Sequence, residues 1–151
     1  MSDYFQAIPS QSVALTNASN TTSVDALDAS GKIALTIAEA GSDRKAGDII
    51  LLKVADISYL ADYFVMMSGY SRVQVRAIAE AVEEQVKTEC GRSPLRTEGK
   101  AEGSWVLIDY GEVIVHIMMP KEREFYNLEA FWGHGTRIDL TTSDQGGGKP
   151  T

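Results

Sequence analysis

Two runs of alternating apolar residues stand out in the second half of the chain. They are Trp105-Val-Leu-Ile-Asp109 and Glu112-Val-Ile-Val-His-Ile-Met118, joined at Tyr110-Gly111. A period of two predicts half-buried strands, and a two-residue turn at Tyr110-Gly111 makes them a hairpin. Asp109 then lies opposite Glu112, Ile108 opposite Val113, Leu107 opposite Ile114, Val106 opposite Val115 and Trp105 opposite His116. Cross-strand partners share a face. One face is Val106, Ile108, Val113, Val115 and Ile117, all β-branched and suited to a core. The other is Trp105, Leu107, Asp109, Glu112, Ile114, His116 and Met118, a mixture of aromatic, aliphatic and acidic groups that suits a surface receiving a partner.

The rest of the chain supplies further elements. A first helix is expected over about Val24 to Ala40, with Leu27, Ala34, Ile37 and Ala38 on one side and Gly31 as a weak point. Gly41 and Gly47 bracket a polar loop. Residues 48–55 read as a strand, 56–62 as a connector, and Phe64 to Met67 as a second short strand closed by Ser68-Gly69. Ser71 opens the clearest helix. Ser71 and Gln74 have the spacing of a capping box, and Val75, Ile78, Ala81, Val82 and Val86 make a 3.6-residue stripe. Arg72, Arg76, Glu80, Glu83, Glu84 and Lys87 are expected to face water, and Gly91 ends the helix. Leu95 to Glu98 is a further strand before the hairpin. Pro120 starts a last helix, Lys121 to Trp132, ended by Gly133, with Phe125, Leu128, Phe131 and Trp132 as its apolar side.

The order α-β-β-α-β-β-β-α predicts an α/β domain of the two-layer α+β kind, a mixed β-sheet with helices mainly on one face. The opposite sheet face is then partly open, and Trp105 lies on it. Residues 1–22 are rich in Ser, Thr, Asn and Gln and read as a disordered leader. The folded domain is expected over about 24–134. Residues 135–151, with Gly146-Gly147-Gly148 and Pro150, read as a flexible tail.

Composition narrows the function. A hydrophobic content of 44% and a charged content of 23% over 151 residues are those of one globular domain. A formal charge of −7 argues against loose nucleic-acid binding, which needs Lys and Arg to displace counterions. It permits docking on a basic protein surface. Cys90 is the sole cysteine, so no internal disulfide forms and a reducing compartment is expected. Its place beside Gly91 suits small-residue packing better than nucleophilic chemistry. Two His and one Cys make zinc an unattractive choice, and no apolar run approaches the roughly 18 residues of a membrane span. The start of the chain lacks the cationic and apolar regions of a secretory signal, and it has almost no Arg of the kind a transit peptide carries. Ser30-Gly31-Lys32-Ile33 is not a phosphate loop, because Ala26 replaces the leading Gly and Ile33 lacks the hydroxyl.

Several motifs together carry a resemblance. They are Ala61-Asp62-Tyr63-Phe64-Val65, Ser68-Gly69-Tyr70-Ser71, Gln74-Val75-Arg76-Ala77-Ile78-Ala79, Glu98-Gly99, Trp105 to Gly111, Val113-Ile-Val-His116, and Arg123-Glu-Phe-Tyr-Asn-Leu-Glu129 followed by Trp132. In this order and spacing, from about Leu35 to Gly133, the chain resembles the ribosomal silencing factors, also called the Iojap family. The resemblance implies a nucleotidyltransferase-like fold. It implies binding to the large ribosomal subunit at its protein numbered fourteen in the bacterial scheme, uL14, where an intersubunit bridge forms. Subunit joining is then blocked and translation repressed. The family's organelle members act in large-subunit assembly. Met118 and Phe131 stand where many members have Phe and Leu, and both stay apolar. Transfer chemistry would need paired metal-binding carboxylates. No Asp-x-Asp or Glu-x-Asp pair follows Ser68-Gly69-Tyr70-Ser71, so neither catalysis nor a cofactor is expected.

The expected partner-binding residues are Trp105, Leu107, Asp109, Glu112, Ile114, Met118, Arg123, Tyr126 and Glu129. Each has a competing reading. Trp105 is a core residue if the strand is irregular. Leu107, Ile114 and Met118 are a second core layer if the leader covers them. Asp109 and Glu112 serve the turn, and Arg123, Tyr126 and Glu129 form a solvated helix face. His116 reads better as a packed, hydrogen-bonded residue than as a base or ligand. The reading that results is a non-enzymatic repressor of a bacterial cytoplasm, with an organelle second. Its open sheet face would favour homodimers when free. The alternatives are a large-subunit assembly factor and a degenerate nucleotidyltransferase-like enzyme.

Overall fold

The structure, a computed structural model, describes residues 21–23, 27–56, 58–131 and 135–140. Trp132, Gly133 and His134, most of the expected leader and the chain beyond Leu140 lie outside the described residues, as do the side chains of Glu129 and Phe131.

The elements in chain order are β1 (Thr21–Ser23), α1 (Ala29–Asp43), β2 (Gly47–Lys53), β3 (Tyr63–Ser68), α2 (Arg72–Cys90), β4 (Arg96–Glu98), β5 (Trp105–Asp109), β6 (Val113–Met118), α3 (Pro120–Tyr126), α4 (Leu128–Phe131) and β7 (Thr136–Asp139). They form one mixed sheet in the order β1-β7-β2-β3-β6-β5-β4. The β3–β6 pair is parallel, and α2 lies in the long connection that such a pair requires.

The expected two-layer architecture is present. Leu51, Tyr63, Val65, Met67, Val106, Ile108, Val115 and Ile117 face α1 and α2 and join Ala34, Ile37, Val75, Ile78, Val82 and Val86 in the main core. The alternate residues Leu52, Phe64 and Met66 point the other way. They form a smaller cluster with Val54 and Ala61, against which Leu128 of α4 packs. The second face is therefore partly covered at β2 and β3.

Local chemistry sets the helix boundaries. α1 begins at Ala29 because the Asp28 carboxylate caps it, accepting the Gly31 N–H at 2.8 Å. Val24 at the expected start lies outside the described residues. Tyr63 Oη donates to the same Asp28 oxygen at 2.9 Å. These two hydrogen bonds hold the Asp28 carboxyl below its usual pKa, the backbone bond most strongly. Gly31, expected to weaken the helix, is where helix and sheet meet closely: a Cβ there would lie 2.8 Å from Tyr63 Oη and 2.9 Å from Leu27 Cδ2. α2 matches its expected span. Ser71 Oγ accepts the Gln74 N–H at 3.0 Å, and Gly91 ends the helix in the left-handed conformation. The capping box is shifted by one residue, since Gln74 Oε1 accepts from the Tyr70 N–H, not that of Ser71.

Three expectations need correction. The last helix is not continuous: Asn127 adopts φ 48° and separates α3 from α4. The supposed tail contains β7, which pairs antiparallel with β2 and buries Ile138 in the main core. The folded unit thus extends past residue 134, and β1, which begins within the supposed leader, pairs parallel with β7. Both strands lie at one sheet border and are too polar to show a period of two.

The hairpin turn sits one residue later than expected. Tyr110 N–H donates to the Val113 carbonyl at 2.9 Å, leaving Gly111-Glu112 as the loop. Trp105 then pairs with Met118, Leu107 with His116 and Asp109 with Ile114. The register moves by two residues, which leaves every side chain on its expected face.

Candidate functional site

Trp105 opens β5 at the sheet's second face and is half-buried. Its indole Nε1–H donates to His116 Nδ1 at 3.2 Å. Its ring lies 4.8 Å from that of Tyr126, tilted by 49°, and Phe125 meets Tyr126 edge-on at 4.9 Å. Tyr126 and Phe125 are 52% and 78% exposed, so the aromatic group ends in solvent. An open cleft of about 600 Å³ runs beside it, lined by Glu98, Glu102, Glu122, Trp105, Leu107 and Tyr126 together with Gly99 and Ser104. Three carboxylates around two aromatic rings make this an acidic, amphipathic surface. Such a surface attracts cationic side chains by charge and by the ring faces.

One wall of the cleft is the 99–104 loop, and α2 holds it. Arg72 Nη1 donates to the Glu102 carbonyl at 3.2 Å, and Arg76 Nη1 to the carbonyls of Ala101 and Lys100 at 3.3 and 3.5 Å. Glu83 accepts from Thr97 Oγ1 at 2.6 Å and from Lys100 Nζ at 2.7 Å. Arg72, Arg76 and Glu83, expected merely to face water, therefore pin β4 and its loop to the helix.

The structure divides the expected binding residues. Trp105, Leu107 and Tyr126 line the cleft. Ile114 is half-buried on the same face, against the smaller cluster. Asp109 is also half-buried there, but it serves the turn: Oδ1 accepts the Gly111 N–H at 2.8 Å, and Oδ2 lies 3.5 Å from Arg96 Nε. Glu112 is in the turn itself and accepts from Arg92 Nη1 and Nη2, at 2.7 and 2.9 Å. That fork holds its pKa below the ordinary carboxylate value. Met118 and Arg123 need correction. Met118 has no exposed surface, because α3 follows at Pro120 and folds over this corner. Arg123, only 7% exposed, reaches inward to Ser68 Oγ at 2.9 Å, and Ser68 is the β3 partner of Met118. The Glu129 side chain lies outside the described residues.

Glu98, Glu102, Glu122 and Phe125 were missed. Glu98 could have been found, since β4 pairs it with Leu107 and so puts it on the Trp105 face. The other three enter from a loop and from α3, whose placement no local pattern dictates.

His116 is the packed residue the sequence suggested. It is buried, with Phe64 edge-on at 5.8 Å, and desolvation lowers its pKa to about 4. Cys90 is half-buried between the helices, its Sγ 3.8 Å from Thr36 Oγ1 on α1. Among the described residues no group of three or more His, Cys, Asp and Glu side chains is placed to hold a metal ion, and no helix is long and apolar enough to cross a membrane.

Residues 27–150 match the family model described as "Ribosomal silencing factor during starvation". The chain is 43% identical over 103 residues to ribosomal silencing factor RsfS of Bacillus subtilis, covering 68% of this chain and 86% of that protein. It is 35% identical over 112 residues to the chloroplastic protein Iojap of Arabidopsis thaliana, covering 74% of this chain and 46% of that one. A crystal structure of a Chromobacterium violaceum protein superposes with a TM-score of 0.65 at 38% identity, covering 68% of this chain and 84% of that chain. A family match over most of the chain, relatives of this identity and a shared fold lead to one conclusion: this protein belongs to the ribosomal silencing factor family.

Proposed function

We propose that this protein binds the large ribosomal subunit through uL14 and represses translation by steric exclusion, without catalysing a reaction. Occupying the joining face of the large subunit keeps the small subunit from docking. The binding surface is the cleft face, with Trp105 and Tyr126 as apolar anchors and Glu98, Glu102 and Glu122 orienting it on basic side chains. The observation that carries this reading is the aromatic pair half-open to solvent inside a ring of carboxylates. Interface centres favour this combination of Trp and Tyr, and the family membership supports the ribosome as target. The site of action is then the bacterial cytoplasm. The half-open aromatic rings of this face favour self-association of the free protein, in competition with the ribosome.

The test is co-sedimentation of the purified protein with mature free large subunits, followed by addition of small subunits. The expected result is comigration with the large subunit and loss of coupled particles, weakening with added salt less steeply than RNA binding does. Trp105→Ala is expected to lower affinity by about 2 kcal/mol, roughly thirtyfold, because a Trp anchor contributes on that scale, while the melting transition stays cooperative. Binding to precursor particles alone would assign the protein to assembly instead, and coupling that proceeds undisturbed would refute steric exclusion.

A further inference from the structure

Building on the reading that the Trp105 face docks, we propose that His116 is a positioning residue for that docking, its Nδ1 fixing the orientation of the Trp105 indole. The indole is tied through its one polar atom. Nε1–H donates to His116 Nδ1 at 3.2 Å, and the ring leans on Tyr126, itself half-exposed. An aromatic side chain near a strand start, open to a wide cleft, has two torsions free to vary. A hydrogen bond from its single polar atom removes most of that freedom, because the indole N–H has only one direction in which to donate.

His116 is well placed to hold the bond. It sits on β6 diagonally across from Trp105, since its direct partner is Leu107 and that of Trp105 is Met118. Its own ring is fixed by burial, the edge of Phe64 and the tilted indole at 5.9 Å. The acceptor at Nδ1 places the imidazole proton on Nε2, so the neutral Nε2–H tautomer is the working form. A buried residue thus sets the aim of the half-buried ring without touching the partner. Rigid aromatic anchors lose little freedom on association.

The experiment uses the full chain. In the unmodified protein, imidazole 15N shifts report the tautomer. Nε2–H is expected, and an Nδ1–H tautomer would remove the acceptor and overturn the proposal. His116→Phe keeps an aromatic ring beside Phe64 but deletes the acceptor, whereas His116→Asn returns an acceptor near the Nδ1 position. The Trp105 indole N–H, assigned with a Trp105→Phe variant, is expected to exchange with solvent about fivefold faster in His116→Phe. Large-subunit affinity should fall by about the same factor, the loss expected for one neutral hydrogen bond. His116→Asn should recover part of both. Unchanged indole exchange in His116→Phe would sink the proposal. The docking reading fails separately, if Trp105→Ala binds large subunits as the unmodified protein does. The tautomer and exchange measurements need no ribosome, so the two failures are told apart.

Discussion

Acidifying this protein should destabilise it through His116 before most of its carboxylates are protonated. The imidazole is 7% exposed, and burial lowers its pKa to about 4 from an ordinary 6.5. The unfolded chain takes up this proton first as the pH falls, and the fold resists it. Folding stability is therefore unaffected above about pH 6.5, declines between about 6.5 and 4, and bears the whole penalty below about 4. At 1.36 kcal/mol per pH unit, the full window of 2.5 units corresponds to about 3 kcal/mol, and by about pH 5 roughly 2 kcal/mol is already gone. Against a typical stability of about 5–15 kcal/mol that is a large fraction. Asp28 and Glu112 have lowered pKa values, so the stability they contribute is lost chiefly at lower pH. Urea titrations at several pH values from about 7.5 to 4.5 measure the effect, with His116→Asn alongside. The variant has nothing to titrate at this position, so its stability should change less over the window, by about 2 kcal/mol at about pH 5. Parallel pH profiles for the two proteins, or an imidazole that titrates near 6.5 in the folded state, would show that His116 does not drive the acid destabilisation.

Further outcomes follow from the same geometry. Gly99 adopts φ +92°, and a Cβ there would overlap the Trp105 carbonyl oxygen; Gly99→Ala should cost at least about 1–2 kcal/mol in chemical denaturation and distort the cleft. Arg123→Met should cost about 2 kcal/mol by leaving a buried partner unsatisfied, so ribosome binding and melting temperature should drop together, whereas Trp105→Ala separates them. Tyr63→Phe removes the donor to Asp28 Oδ1 and should cost about 1 kcal/mol, read from the urea midpoint; no change would mean that water replaces the hydroxyl at no loss.

What could be read from the chain depended on how local the cause was. α2 was legible because its cap, stripe and stop are all in its own residues, Ser71, Val75 to Val86 and Gly91. The hairpin faces were legible even with the turn misplaced, because moving the turn by one residue shifts the register by two and a strand's faces repeat every two. β7 was not legible: Ile138 is its one apolar residue, and its strand character comes from β2 beside it. The burial of Met118 and Arg123 was hidden for a related reason. Both follow from how α3 folds back across the sheet, and that path is set by long-range packing. The acidic side of the cleft was missed because its carboxylates come from β4, the 99–104 loop and α3, which meet only in the folded protein.

The guanidinium groups of Arg72 and Arg76 clamp residues 100–102 through their backbone oxygens, so this part of the wall is held largely through its main chain. Ala101 is thereby free to vary in sequence while the wall keeps its contour, whereas Lys100 stays tied to Glu83. A ligand meeting this rim finds a template already set, and the encounter need not wait for a loop to search its conformations.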